Sequence, residues 1–400
     1  MTYLSFLLVL LASVGFAAEN PERGDYPVAP KRQALADILW TRPICLEEGR
    51  YIGWPTVIAT QKGTLLAAFS GDRDAHICPW GKVEIVRSED GGETWSKPLT
   101  VANSPIDDRD CGMVQLKNGE ILAIYVSCAT WNEIKDFRTR SFAPTSREFQ
   151  WQRHVSKLGA ETIKQQKGVW CVRSHDDGKT WSKPEKFDTL TAFTPHGPIQ
   201  LKDGSLFNIG REYYSDAARK GITRITTMRS TDDGHVWKSL CYAVPDRNGE
   251  NSKPQMFHEP HVIELADGRL LALIRYHGEG KCMRQSFSSD GGMTWTPMEK
   301  TPMVGFPPHL LRLKDGRILC TFGRRSPKPT GYGEYACISS DEGRTWDAEH
   351  EIFLSAHTDG DLGYPSTVQL ANGDLVTVYY HPIEPKGLPC LMATKWRLRK

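Results

Sequence analysis

The chain has ten cysteines among its 400 residues but no C-x-x-C pair. It therefore lacks the spacing on which zinc ribbons and thiol–disulfide exchange sites are built. Blocks of like charge are also missing: 50 Lys and Arg are interspersed with 48 Asp and Glu, for a net +2. Such a balance offers no electrostatic footprint for nucleic acid and no basic face for a membrane surface. No apolar run reaches the roughly 20 residues that a membrane-crossing helix needs. The run Leu4–Phe16 is instead the apolar centre of an expected secretory leader over residues 1–18, with Gly15 and Ala17 supplying small residues for cleavage. No Lys or Arg precedes that run, which is atypical of a leader. The mature protein is accordingly expected to be secreted or periplasmic and to span no membrane. Several of its cysteines, such as Cys171 and Cys320, lie in apolar strand-like runs where a free thiol behaves as a small hydrophobe, and one or two disulfides remain open.

What the chain does have is repetition. The pattern Ser-x-Asp-x-Gly-x-(Thr/Val)-Trp occurs five times: Ser88–Trp95, Ser174–Trp181, Ser230–Trp237, Ser288–Trp295 and Ser339–Trp346. Ser and Asp side chains bond nearby backbone amides, Gly accepts positive φ, and the terminal Trp is a large apolar plug. Each copy reads as a hairpin turn pinned by an aromatic, so its Asp is scaffold. A second element, strand–(Asp/Asn/Lys)-Gly–strand, occurs six times, centred on Gly63, Gly119, Gly204, Gly268, Gly316 and Gly373. Asp-Gly and Asn-Gly between β-rich runs are strong hairpin signals. Six inner hairpins, five of them followed by the Trp turn, predict an all-β, six-bladed β-propeller of four-stranded sheets over residues 19–400. The last blade is expected to borrow its outer strands from the C-terminal LMATKWRLR and from a segment near Ile38–Cys45.

Register places the chemistry. Residues nine before each turn glycine are Trp54, Asp110, Pro195, Glu259, Pro307 and Tyr364. Residues seven after it are Ser70, Val126, Arg211, Arg275, Gly323 and Tyr380, with Arg324 and Arg325 just beyond. A hairpin returns the chain to the edge it left, so these positions gather at one end, joined by Asp72, Arg73, Asp74, His76, Arg109, His196, His261 and His309. Carboxylates and guanidiniums converging on the mouth of a propeller channel suit a ligand pocket. An insertion in the second blade, from about Thr130 to Gln166, has helix-favouring composition toward its end and is expected to lean over the pocket rim.

The turn motifs resemble the Asp-boxes of the sialidase superfamily, and from about Arg50 onward the chain is similar to exo-sialidases. In EPHVIELADGRLLALIR, Glu259 and Arg275 match the Glu and Arg that bracket the fourth inner hairpin of that family. In GYPSTVQLANG, Tyr364 matches its catalytic Tyr, and Arg324 or Arg325 matches its second carboxylate-binding arginine. The resemblance implies a Tyr364 nucleophile, Glu259 as its base, Asp74 (or Asp72) as acid/base, and the arginines as a clamp for an acidic sugar such as sialic acid on a glycan. No cofactor or metal is implied, and a monomer is the working expectation. Where the family has Arg-Ile-Pro this chain has Gly53-Trp54-Pro55, so the first arginine of the clamp is absent, with Arg50 or Arg73 as possible stand-ins. That departure and the collection of histidines keep two alternatives open: a uronate-directed glycosidase or lyase using His and Tyr, and a non-catalytic glycan-binding propeller.

Overall fold

Each turn glycine sits in the left-handed region, from φ 86° at Gly63 to φ 93° at Gly119, where a Cβ would be strained. Their amides close the turn, as Gly119 N–H does on Leu116 O at 2.9 Å. The computed structural model describes residue 30 and residues 32–133, 147–212, 224–241, 256–326, 331–358, 360–384 and 387–399. The expected leader, residues 1–18, lies outside them, as does the middle of the blade 2 insertion.

The hairpins assemble into six antiparallel sheets arranged as a propeller. Blade 1 runs Tyr51–Ala59, Leu65–Arg73, Lys82–Ser88 and Leu99–Ala102 from the inside outward, and blade 2 runs Asp107–Gln115, Ile121–Cys128, Gly168–Ser174 and Glu185–Lys186. In blade 3 the inner strand is broken into Ala192–Phe193 and Ile199–Gln200, both paired with Leu206–Glu212. Pro195 and Pro198 fall in the gap, where their missing N–H groups would leave a ladder incomplete. Blade 4 begins at Phe257–Glu264 and blade 5 at His309–Arg312. Blade 6 holds Gly363–Gln369, Leu375–Pro382 and Pro389–Leu398, and its outermost strand is the N-terminal Ala36–Cys45. The ring is thus closed by joining the two ends of the described chain, as the sequence predicts.

Buried apolar side chains form one cluster at each of the six blade-to-blade contacts. Ile52, Val57, Phe69 and Val86 of blade 1, for example, meet Val368, Val376, Val378 and Leu391 of blade 6. Fully burying a side chain of this size is worth roughly 1.5–3 kcal/mol, so the interfaces between blades hold the ring. The Trp turns pin the outer hairpins. Asp90 accepts from the Thr94 amide at 2.9 Å, Ser88 Oγ accepts from Gly92 N–H at 2.8 Å, and Trp95 Nε1 donates to Gly92 O at 3.1 Å. The other four copies keep the Ser and Asp contacts, and the Thr180 hydroxyl and amide hold the Asp176 carboxyl down at about 2. These aspartates are scaffold. All ten cysteines are free thiols, so the disulfides left open by the sequence do not form.

Candidate active site

Four of the six inner strands carry the same irregularity at the same place. Near the turn the register is regular, with Ala59 opposite Leu65 and Gln115 opposite Ile121. Further along it slips by one residue, pairing Gly53 with Ser70, Arg109 with Val126, His258 with Arg275 and Gly363 with Tyr380. The bulged residues are Trp54, Asp110, Glu259 and Tyr364, with φ of 54°, 55°, 28° and 55°. A positive φ at such large side chains is costly and clusters at functional sites. In blades 3 and 5 the equivalent positions are Pro195 and Pro307, whose rings forbid positive φ. The register argument therefore identifies Asp110, Glu259 and Tyr364, which a β-bulge, not flat pairing, turns inward, whereas Trp54 is buried among Tyr51, Tyr364 and Tyr380 and does not line the cavity.

Asp110, Glu259 and Tyr364 reach a cavity of about 260 Å³ together with Arg109, Arg275, Arg325 and His76. Val126, Phe193 and Pro195 form its apolar side. At its centre Tyr364 O–H donates to Glu259 Oε1 at 2.6 Å, Arg275 Nη1–H lies 3.3 Å from the same phenol oxygen, and Arg275 is ion-paired with Glu259. Burial alone would raise the Glu259 carboxyl, but the Arg275 charge and the hydrogen bonds from Tyr364 and Arg275 outweigh it and hold the group at about 2. Burial, reinforced by the Glu259 charge, pushes the Tyr364 phenol well above 10. The resting pair is a neutral phenol on an ionised carboxylate. Asp110 is raised to about 6 by burial, against the pull of Arg109.

Three guanidiniums line this cavity from three different blades. Arg275 comes from blade 4, and Arg325 follows the blade 5 strand Ile318–Arg324 and donates to Tyr380 Oη at 3.1 Å. Arg109 of blade 2 lies 4.0 Å over the ring of Trp54. Neither suggested stand-in serves. Arg50 is spent on Asp72 and Asp74, and Arg73 is fully buried against Asp107 at 2.9 Å. The choice between Arg324 and Arg325 also resolves. Arg324 is buried, bonded to Glu351 at 2.8 and 3.0 Å and stacked on Tyr335, away from the cavity.

Several other expectations are corrected. Asp74 does not line the cavity; its carboxylate is buried and takes Trp151 Nε1–H at 2.6 Å, Arg147 Nε at 3.2 Å and Arg50. Asp72 pairs with Lys82 and Arg50, each at 2.6 Å. Arg211 contacts His258 outside the cavity lining. His196, His261 and His309 pack on one another with ring centroids 4.8–5.7 Å apart, His196 lying 6.4 Å from the Tyr364 ring. Their ring nitrogens bond across blades: His261 Nδ1 accepts from Leu310 N–H at 2.9 Å, and His309 Nδ1 faces Thr367 N–H at 3.4 Å. Burial lowers all three, to about 4 for His261, so they are neutral fasteners beneath the site. Among the described residues, no three His, Cys, Asp or Glu side chains are arranged to hold a metal.

The described part of the insertion acts as a buttress. Helix Glu148–Val155 delivers Trp151, 1% exposed, against Trp80 and onto Asp74, while Thr130, where the insertion begins, lines the cavity. Sequence reasoning missed Tyr51 and Asp361, whose side chains bond each other at 2.8 Å beside the cavity residue His76. Both stand twelve residues before a turn glycine, so extending the register by three positions would have found them.

The family described as BNR repeat-like domain matches residues 63–378. A sialidase of Bacteroides fragilis is 26% identical over 325 residues, covering 75% of this chain and 55% of that protein. The chain spans little more than half the length of the curated relatives it matches. Among solved structures, a protein of unknown function from Dyadobacter fermentans superposes with a TM-score of 0.71 at 23% identity, covering 91% of this chain and 99% of its own. A Hadza microbial sialidase superposes with a TM-score of 0.62 at 16% identity, covering 88% and 66%. At these identities the superpositions establish the fold.

Proposed function

The chain belongs to the BNR repeat-like family, and from that membership we propose that it is an exo-acting glycoside hydrolase that releases a terminal acidic sugar, a sialic acid, from glycans with retention of configuration. One observation carries this reading: the 2.6 Å hydrogen bond from Tyr364 to Glu259 at the centre of a cavity ringed by Arg109, Arg275 and Arg325. A sialic acid bears a carboxylate on its anomeric carbon, which would repel a carboxylate nucleophile, and a tyrosine nucleophile is a known exception to the two-carboxylate scheme. The phenol is unreactive while protonated, so attack requires that its proton pass to Glu259. A carboxylate held at about 2 by Arg275 is a weak base until substrate binds. The substrate carboxylate, drawn onto the same guanidinium, competes for that charge and makes Glu259 more basic as the reaction begins. The similarity to sialidase-named relatives supports the same substrate class. The leader reading would place this activity outside the cytoplasm.

The test incubates the purified protein with sialylated and uronate-capped glycans and identifies released sugars by mass. The reading predicts free sialic acid from the wild type and a loss of about 10²–10⁴-fold in Tyr364→Phe. Full turnover by that variant would remove Tyr364 from the mechanism. An unsaturated, ultraviolet-absorbing product would assign a lyase, and saturable binding without release would assign a glycan-binding propeller.

A further inference from the structure

Retaining hydrolysis needs a proton donor for the leaving oxygen, and the buried Asp74, bound to Trp151, Arg147 and Arg50, cannot reach one. Two residues along the same loop, His76 lines the cavity with Tyr364 and Glu259, and its side chain is 46% exposed. The ring is held from one side. His76 Nδ1 lies 3.0 Å from Tyr51 Oη, Tyr51 O–H donates to Asp361 Oδ1 at 2.8 Å, and Asp361 Oδ1 is 3.8 Å from the same nitrogen. Trp54 meets the ring edge-on at 4.9 Å. The only phenol hydrogen of Tyr51 is committed to Asp361, so Nδ1 must carry the hydrogen of the His–Tyr bond. That fixes the tautomer and leaves Nε2 as the nitrogen that gains and loses a proton.

Resting on the glycosidase reading above, we propose that His76 is the general acid/base of this site, with Tyr51 and Asp361 as its positioning residues. In the first step the bond between the anomeric carbon and the leaving oxygen breaks. That oxygen takes the Nε2 proton, Tyr364 Oη bonds to the anomeric carbon, and the phenol proton passes to Glu259. In the second step water attacks the same carbon, Nε2 takes a water proton, and Glu259 returns its proton to Tyr364 as the sugar–tyrosine bond breaks. Both groups end as they began. The charges around His76 suit a donor that is armed by substrate. Burial favours the neutral ring, Asp361 opposes this, and Arg109 and Arg325 add to it, leaving the group lowered. A substrate carboxylate bound to Arg109 and Arg325 removes their repulsion and lifts His76 toward the protonated form.

The experiment compares a sialoside with a poor, sugar leaving group and an aryl sialoside with a good one. His76→Ala and His76→Gln should lose about 10²–10⁴-fold in kcat/KM on the first and far less on the second. Azide should restore turnover of the aryl substrate and appear as the glycosyl azide. Asp361→Asn should move the alkaline limb of the pH profile to lower pH, because the carboxylate favours His76 in its charged form. Asp74→Asn should leave the gap between the two substrates unchanged. Equal losses on both substrates in the His76 variants, or a gap opened by Asp74→Asn, would overturn the role of His76 while the glycosidase reading stood. No release of sugar from either substrate by the wild type would overturn both.

Discussion

The arginines are distinguishable by what each already holds. Arg275 is tied to Glu259, whereas Arg109 sits 4.0 Å over Trp54 with Asp110 at 3.4 Å. Arg109→Ala should therefore raise KM for an acidic sugar by about 10–100-fold, the worth of one charge-assisted hydrogen bond, with a smaller change in kcat. Initial-rate kinetics would check this, and an unchanged KM would take Arg109 out of the clamp. Glu334 makes a separate prediction. It is fully buried, accepts no hydrogen bond from a described residue, and is raised to about 8 by burial. A carboxyl raised in the folded state contributes stability that is complete below its unfolded value near 4.5 and is lost as pH rises to 8. The loss should run at about 1.4 kcal/mol per pH unit. Melting temperatures of wild type should fall across that window, and Glu334→Gln should flatten the fall; parallel curves would contradict the assignment. At this scale Glu259, Arg275 and Tyr364 were legible because a fixed offset from a turn glycine fixes which end of a hairpin a residue occupies. Whether Asp74 or His76 faces the cavity was not. That depends on Trp151, distant in the chain, which captures Asp74.

Elements carry the site through two devices. The bulges at Trp54, Asp110, Glu259 and Tyr364 aim side chains, and no composition signal distinguishes a bulged strand from a flat one. The Trp turns, by contrast, were fully legible, since Ser, Asp, Gly and Trp each do one local job in a contiguous stretch. The helix Glu148–Val155 braces the loop that bears His76. Trp151→Ala should cost about 3–5 kcal/mol of stability, as expected for emptying a buried aromatic site. The effect on kcat should be larger for sugar leaving groups than for aryl ones. Chemical denaturation and the same two substrates would measure both; an unchanged midpoint would show that the helix does not brace the loop.

For the whole molecule, closure is the decisive interaction. Ala36–Cys45 pairs along the length of Pro389–Leu398, Thr41 Oγ1 meets Thr394 Oγ1 across that seam at 2.9 Å, and the fully buried Trp396 packs with Ala36 and Ile38. Removing residues up to Cys45 should abolish a single cooperative transition and expose the blade 5–6 interface. Calorimetry would detect this, and an intact sharp transition would contradict it. The ring also explains why residues from all six blades can share one cavity, which the repeat made predictable before any contact was known. The account's central claim is that Tyr364 attacks the anomeric carbon. The most direct measurement is peptide mapping by mass after incubation with a fluorinated sialosyl fluoride, which forms the sugar–enzyme bond faster than it breaks it. One sugar attached to Tyr364 is the predicted result; turnover of sialosides with the label on another residue, or with none, would contradict it.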